Sequence, residues 1–202
     1  MTKEMTLLHG INSLRSVRKF RADPVPDEVI HAILKSATRA ASGSNTQPWE
    51  FVIVRDVKVK ARLTEPMLRT WLDRLGSGPR MTGRMKEVYD DATEMLRDTE
   101  KVPAIIYCCM DLNRVSKSEE VRYASILPAV QNLMLAAHAM GLGTCLTVHG
   151  STPTRGEPEV KGILGIPDHV KIACLVYLGY PAVKLGPPKR KPLEQFTHYD
   201  GW

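Results

Sequence analysis

Residues 42–51 read Ser42-Gly43-Ser44-Asn45-Thr46-Gln47-Pro48-Trp49-Glu50-Phe51, and an apolar run to Val54 follows directly. A turn needs only one or two of Gly, Asn, Ser or Pro to set its backbone. This loop instead carries two carboxamides, on Asn45 and Gln47, beside the indole of Trp49. The surplus of hydrogen-bonding groups favours a site for a polar, planar ligand. The run from Phe51 to Val54 predicts a buried strand, so the loop would lie at a strand entrance.

A basic segment precedes this loop by some 25 residues. Leu14 to Phe20 reads Leu-Arg-Ser-Val-Arg-Lys-Phe and places the guanidinium groups of Arg15 and Arg18 close to the hydroxyl of Ser16. Guanidinium forks match phosphate oxygens in a bidentate way, and a serine adds a neutral donor. Taken alone, a solvated basic helix end is the better explanation, because the helix dipole favours cations there. The amphipathic pattern predicts that this helix spans residues 7–15.

The remaining pattern predicts alternating helices and strands. A helix should begin near Pro26 and Asp27. Apolar runs predict strands at residues 103–110, 144–148 and 172–178, and helical periodicity predicts helices at residues 122–140 and 157–164. Gly141 and Gly143 follow a helix rather than a strand, so they indicate a helix C-cap and not a dinucleotide-binding loop.

Together, the motifs resemble the FMN-dependent nitroreductase family in their order and spacing. The matching segments are Arg15–Phe20, Asn45–Phe51, Pro128–Ala137 with Gly141–Cys145, Lys189–Glu194 and Tyr199–Trp202. The resemblance spans nearly the whole chain, and residues 57–100 are its least diagnostic part. It implies an α+β fold with a mixed central sheet of four or five strands flanked by helices, assembled as an intertwined homodimer.

The resemblance also implies which residues bind FMN. Arg15, Ser16, Val17 and Arg18 match the segment that contacts the phosphate and ribityl chain, and Asn45 and Gln47 match contacts to the ring and ribityl chain. Backbone N–H groups of Leu146, Thr147 and Val148 match those that face flavin N5, and Lys189, Arg190 and Lys191 match a second phosphate-binding cation. Leu14 stands where many members have another arginine. No catalytic side chain is implied, because the flavin carries the chemistry.

The implied function is an NAD(P)H-dependent FMN oxidoreductase with a ping-pong mechanism. NAD(P)H would reduce FMN at the subunit interface, and a small electron-poor acceptor such as a nitroaromatic or quinone would then be reduced. A flavin destructase or a reductive dehalogenase on the same scaffold is an alternative. A non-catalytic FMN-binding or storage protein is an alternative from another class.

Chain length and local composition predict one domain over residues 1–202. Residues 57–100 carry Pro66 and a Gly76–Pro79 break between two helical patterns, Met67–Leu75 and Met85–Leu96. They resemble a helical cap over a site, although two ordinary surface helices explain the pattern as well. Residues 184–202 are basic and then aromatic, and the resemblance implies that they form a C-terminal arm onto the partner subunit.

Composition narrows the class of protein. The net charge of +6 is modest and aromatic residues make up only 6%, so a nucleic-acid reader is disfavoured. Four cysteines without a CxxC pair and six scattered histidines indicate reduced core thiols and no metal site. No apolar run approaches the roughly 18 residues of a membrane span, so the default expectation is a cytoplasmic protein.

Overall fold

The computed structural model describes residues 5–78, 80–114, 118–151 and 156–202. The helices are α1 (Leu7–Ser13), α2 (Asp27–Ala37), α3 (Val57–Ser77), α4 (Gly83–Arg97), α5 (Glu119–Ala139) and α6 (Glu157–Leu164). The strands are β1 (Trp49–Val54), β2 (Ala104–Asp111), β3 (Gly143–Thr147) and β4 (Val170–Gly179). Each agrees with a predicted element to within a few residues, except in the region of α3.

The four strands form one sheet in the order β1-β2-β4-β3, which confirms the α+β class. The sheet is not mixed as expected, because its three described strand pairs are all antiparallel. Strands β2 and β3 do run in the same direction, as a connection through the single helix α5 requires. However, β4 inserts between them, so no two neighbouring strands are parallel. The described parallel pairing is one isolated bridge between Ser16 and Thr144.

Helix α3 starts ten residues earlier than the pattern predicted and runs through Pro66. Its first turn is capped by the Asp56 carboxylate, which accepts a hydrogen bond from the Val59 backbone N–H at 2.9 Å. Leu63, Met67 and Trp71 then form a buried stripe at i, i+4, i+8 spacing. Burial of this stripe offsets the hydrogen bond that the proline removes. Pro79, part of the expected break after α3, lies outside the described residues.

Helices cover both faces of the sheet, which gives two hydrophobic clusters. Alternate residues of β2 face opposite sides, so Ile106 packs in the cluster of α2 and α5 while Ile105 packs in the cluster of α3 and α6. Strands β2 and β4 are buried along nearly their whole length. All four cysteines are free and buried, which confirms their prediction as core thiols. No described helix is long and apolar enough to cross a membrane.

Residues 184–202 contain one short turn of 3-10 helix, Leu193–Gln195. The aromatic side chains of Phe196, Tyr199 and Trp202 are exposed. The rings of His198 and Trp202 stack on each other with centroids 4.4 Å apart. The assignment of this segment as an arm onto a partner subunit stays a prediction.

Candidate functional site

The basic segment lies against the outer edge of strand β3. The Val17 backbone N–H donates to the Thr144 carbonyl at 2.8 Å, next to the parallel bridge between Ser16 and Thr144. A Cβ on Gly143 would lie 2.6 Å from Cγ2 of Val17, closer than real Cβ contacts come. Glycine at position 143 therefore allows the basic segment to pack directly against the strand. This contact fixes the backbone positions from which the side chains of Arg15 and Arg18 extend.

Arg15 faces a cavity of about 470 Å³ between α1, the end of α5 and the segment that follows β4. Its Nη1 donates to the carbonyl of Gly186 at 2.6 Å. His9, His138 and Lys184 also line this cavity, and none of its described lining residues is acidic. An acid-free set of cationic and imidazole groups is suited to an anion. We call this space the distal cavity.

Arg18 faces a second cavity, of about 280 Å³, between the end of β3 and the helices α3 and α4. We call it the proximal cavity. Three further residues predicted from the sequence line it: Leu146, Thr147 and Val148. Four residues that sequence reasoning did not select line it as well: Trp71, Arg74, Tyr89 and His149. Because β3 rises roughly 3.3 Å per residue, the two cavities lie about 10 Å apart along one strand edge.

Two buried side-chain polar atoms in the described chain lack a hydrogen-bond partner, and they belong to the two segments that the sequence selected. They are Nε of Arg18 and Oγ1 of Thr46. An unsatisfied buried donor or acceptor costs about 1–3 kcal/mol, so such atoms are rare in native proteins. The orphaned guanidinium nitrogen of Arg18 fits a site for an anionic or carbonyl-bearing ligand.

An aromatic wall closes the proximal cavity on the side of α3 and α4. The Trp71 and Tyr89 rings stack with centroids 5.0 Å apart and planes inclined by 25°. The indole Nε1 of Trp71 donates to Thr93 Oγ1 at 2.8 Å, and that hydroxyl donates to the Tyr89 carbonyl at 2.7 Å. These bonds tie Trp71 to α4, so the wall is fixed in position.

His149 borders the same wall. Its ring meets Trp71 edge-on, with centroids 4.7 Å apart. Burial, and to a smaller extent the positive charge of Arg74, together lower the pKa of His149 to about 4. His149 is therefore a neutral imidazole at neutral pH, and it adds no charge to the cavity.

The carboxamide loop, residues 42–51, is the second segment that the sequence predicts to bind the ligand. Ser44, Asn45 and Gln47 all have positive φ angles, of 49°, 55° and 48°. Three non-glycine residues in this region within four positions represent stored backbone strain, which is typical of binding loops. Gln47 Nε2 donates to Asn45 Oδ1 at 3.2 Å, and the Gly43 N–H donates to Ser125 Oγ on α5 at 3.1 Å. These hydrogen bonds hold the loop in place.

Asn45 and Gln47 line neither the distal nor the proximal cavity. Their loop leads into β1, whereas Arg15 and Arg18 lie beside β3, and these two strands form opposite edges of the sheet. Three strand spacings separate the edges, which is about 14 Å. The structure therefore does not bring the two predicted halves of the site together within one chain.

Lys189, Arg190 and Lys191 are exposed and line neither cavity. Arg190 Nη1 donates to the carbonyl of its neighbour Lys189. The cation of this tract that does line the distal cavity is Lys184. The sequence could locate the basic tract but not which member faces inward. The described residues contain no cluster of histidine, cysteine or carboxylate side chains that could hold a metal ion.

The sequence model of the nitroreductase family matches residues 11–180. The chain belongs to this family. The nitroreductase-family chain is 31% identical to iodotyrosine deiodinase 1 of Rattus norvegicus over 194 residues, covering 92% of the chain and 66% of that protein. It thus spans just under two thirds of the deiodinase. It is 32% identical to an NADH dehydrogenase of Thermus thermophilus, covering 90% of the chain and 89% of that protein.

The fold agrees with solved structures of family members. An iodotyrosine deiodinase bound to FMN and 3-iodo-L-tyrosine superposes with a TM-score of 0.75 and 24% identity, covering 96% of this chain and all of that one. This likeness establishes the shared fold. The chain therefore has the fold of the FMN oxidoreductases of the nitroreductase family. Its own residues fit FMN, because acid-free cationic groups lie along β3 and Arg18 keeps an unused donor.

Proposed function

We propose that this nitroreductase-family chain is an NAD(P)H-dependent FMN oxidoreductase that reduces a small electron-poor acceptor, such as a nitroaromatic or a quinone, by a ping-pong mechanism. The observation that carries the proposal is that Arg18 and Leu146–Val148 line one cavity, whose described lining residues include no aspartate or glutamate. The sequence selected these groups from separate motifs. A second, cationic cavity farther along the same strand edge fits the phosphate end of the same ligand.

Each residue then has a defined task. Arg15 and Lys184 hold the phosphate in the distal cavity through charge-assisted hydrogen bonds. Arg18 holds the ring end, which reassigns it from the phosphate role implied by the resemblance. Backbone N–H groups at Leu146–Val148 orient the ring edge. Bound FMN would supply the hydride chemistry, accepting a hydride from the nicotinamide and passing it to the acceptor. The aromatic wall of the proximal cavity excludes water.

Asn45 and Gln47 take part only if a second copy of the chain brings them to the ligand. Strand β1, which their loop enters, lies about 14 Å from β3, so a ligand held along the β3 edge of the same chain would have to cross the sheet to meet the loop. We therefore propose that FMN binds between two copies, with Arg15 to Arg18 from one protomer and Asn45 and Gln47 from its partner. The strained, preformed loop supports this role because strained backbone is typical of binding loops.

Reductive dehalogenation is the second candidate function. It is favoured by the deiodinase relatives, of which the rat protein is 31% identical over 92% of this chain. The two functions differ in product. Halide release from a halogenated phenol under reducing conditions, without turnover of nitroaromatics or quinones, would favour the dehalogenase.

The visible spectrum of the purified protein tests the cofactor directly. We expect bands of oxidised flavin, and we expect Arg15→Ala and Arg18→Ala to lose FMN on dialysis faster than the unchanged protein. Arg62→Ala is a matched control, because Arg62 is exposed on α3 and lines neither cavity. A colourless protein that ignores added FMN would refute the proposal.

Stopped-flow mixing of the FMN-loaded protein with NADH or NADPH tests the enzyme activity. Flavin absorbance should bleach rapidly with at least one donor and recover when a quinone or nitroaromatic is added. Flavin that stays oxidised with both donors would instead indicate an FMN-binding or storage protein.

A further inference from the structure

The α3 side of the proximal cavity carries an arginine that has no counter-ion among the described residues. Arg74 is exposed, and within the described part of the chain its guanidinium has neither an ion pair nor a hydrogen bond, whereas its backbone carbonyl accepts from Ser77 Oγ at 3.3 Å. Arg69, one and a half turns earlier on α3, is by contrast paired with both Glu65 and Glu159. An isolated exposed arginine is common on protein surfaces, so its surroundings must decide whether it is a binding group.

The surroundings of Arg74 are those of an aromatic binding site. Trp71 lies three residues before it on the same helix, only 5% exposed and stacked on Tyr89. His149 contacts Trp71 from the β3 side and is itself 7% exposed. The described residues that line this cavity include no aspartate or glutamate, so Arg74 and Arg18 set its charge. A flat aromatic surface next to an unpaired guanidinium matches a flat ligand with an anionic substituent.

The two arginines stand on different walls of the cavity. Arg18 approaches from the β3 edge together with Leu146–Val148, the wall assigned above to the flavin ring. Arg74 belongs to α3, on the side of the aromatic wall. The aromatic wall is therefore the side of the cavity that remains for the electron acceptor.

We propose that Arg74, together with the aromatic wall of Trp71 and Tyr89, makes the proximal cavity selective for planar aromatic anions, so that the preferred acceptor is an electron-poor aromatic acid. This inference rests on the proposed oxidoreductase function, of which it names the acceptor class. The guanidinium pairs with the carboxylate while the ring of the acid lies against Tyr89 and Trp71. Neutral nitroaromatics and quinones of the same size are then poorer substrates.

Binding of unreactive probes tests the role of Arg74 without turnover. Benzoate and benzamide have the same shape and differ in charge, and isothermal titration measures the affinity of each for flavin-free and FMN-loaded oxidised protein. We expect benzoate to bind about tenfold more tightly than benzamide, which corresponds to one partly solvated charge-assisted contact. The preference should shrink as salt is raised.

Variants of Arg74 distinguish an effect of its charge on binding from an effect on the folded structure. In FMN-loaded protein, where Arg18 is occupied by the flavin, Arg74→Gln should abolish the preference for benzoate while leaving benzamide binding and the melting temperature unchanged, and Arg74→Lys should retain most of the preference. Arg62→Gln on the exposed face of α3 should behave like the unchanged protein. The same pattern is expected in kcat/KM for 4-nitrobenzoate relative to 4-nitrobenzamide.

A preference for benzoate that survives in FMN-loaded Arg74→Gln, or its absence from the unchanged FMN-loaded protein, would overturn the proposal. Failure of the oxidoreductase function has a different signature. If the protein holds no FMN or oxidises neither NADH nor NADPH, but flavin-free protein still binds benzoate through Arg74, the anion site stands and the proposed function falls.

Discussion

Gly143→Ala should disrupt the candidate site without altering any of its cationic side chains. The added Cβ would lie 2.6, 2.8 and 2.9 Å from three side-chain carbons of Val17, whereas ordinary contact begins near 3.4 Å. The closest pair falls short by about 0.8 Å, the difference between 3.4 and 2.6 Å. Val17 is only 5% exposed and its N–H is bonded to Thr144, so the segment can retreat only by leaving the strand edge.

The cost of such overpacking is about 1–3 kcal/mol in the free energy of unfolding. For a chain of this size the melting temperature should fall by about 2–4 °C per kcal/mol. Moving Arg15 and Arg18 by nearly 1 Å should also weaken FMN binding, by roughly tenfold or more. Thermal unfolding of flavin-free protein measures the first effect, and fluorescence titration with FMN measures the second.

Gly162→Ala is the control, because Gly162 lies inside α6 with nothing within 4 Å of an added Cβ. It should raise stability by up to about 1 kcal/mol and leave FMN affinity unchanged. Val17→Ala should partly rescue Gly143→Ala, since it removes two of the three clashing carbons. Strict additivity of the two changes, or normal stability and FMN affinity in Gly143→Ala, would refute the steric argument.

Three further predictions concern the loop, the buried histidine and the aromatic wall. Ser44→Val should lower the free energy of unfolding by about 1 kcal/mol or more, because φ at Ser44 is +49° and a β-branched residue is strained there. Ser44→Gly should be tolerated. Equal melting temperatures for the two variants would contradict this prediction. His149 should make stability pH-dependent, because its pKa in the folded protein is depressed to about 4. Between pH 6.5 and 4 the unfolded chain therefore binds more protons than the folded protein, and the free energy of unfolding should fall by up to roughly 3 kcal/mol as the pH is lowered through that range. Urea unfolding at several pH values should show a smaller slope in His149→Gln. Trp71→Phe and Thr93→Val each remove one partner of a 2.8 Å hydrogen bond, and a double-mutant cycle in melting experiments should give a coupling of about 1 kcal/mol, whereas no coupling would mean that α3 and α4 are joined by packing alone.

Much of the fold could be predicted from local patterns. The apolar runs located all four strands, and Gly141 does end the region of α5 with a left-handed φ of 79° as a C-cap should. The start of α3 was missed because Pro66 signals a break, and only burial of Leu63, Met67 and Trp71 against the sheet explains why the helix continues. Local propensity is overruled here by tertiary packing.

The site was predicted less completely than the fold. The family resemblance selected Arg15–Arg18 and Leu146–Val148, which the structure places along one strand edge. Trp71, Arg74 and Tyr89 escaped notice because charged, amphipathic helices carry no signal of which side chains face a cavity. Lys184 was known only as part of a basic tract, since a run of similar cations does not reveal which one points inward.

By itself, the sequence determined the family, the order of the elements and the two segments with surplus hydrogen-bonding groups, because these depend on residue types at short range. The tertiary structure alone decided that β4 inserts between β2 and β3, which places the carboxamide loop and the arginine segment on opposite edges of the sheet. Strand order follows from long-range packing that no local pattern encodes. For this reason the division of the two predicted segments between opposite edges of the sheet emerged only from the fold.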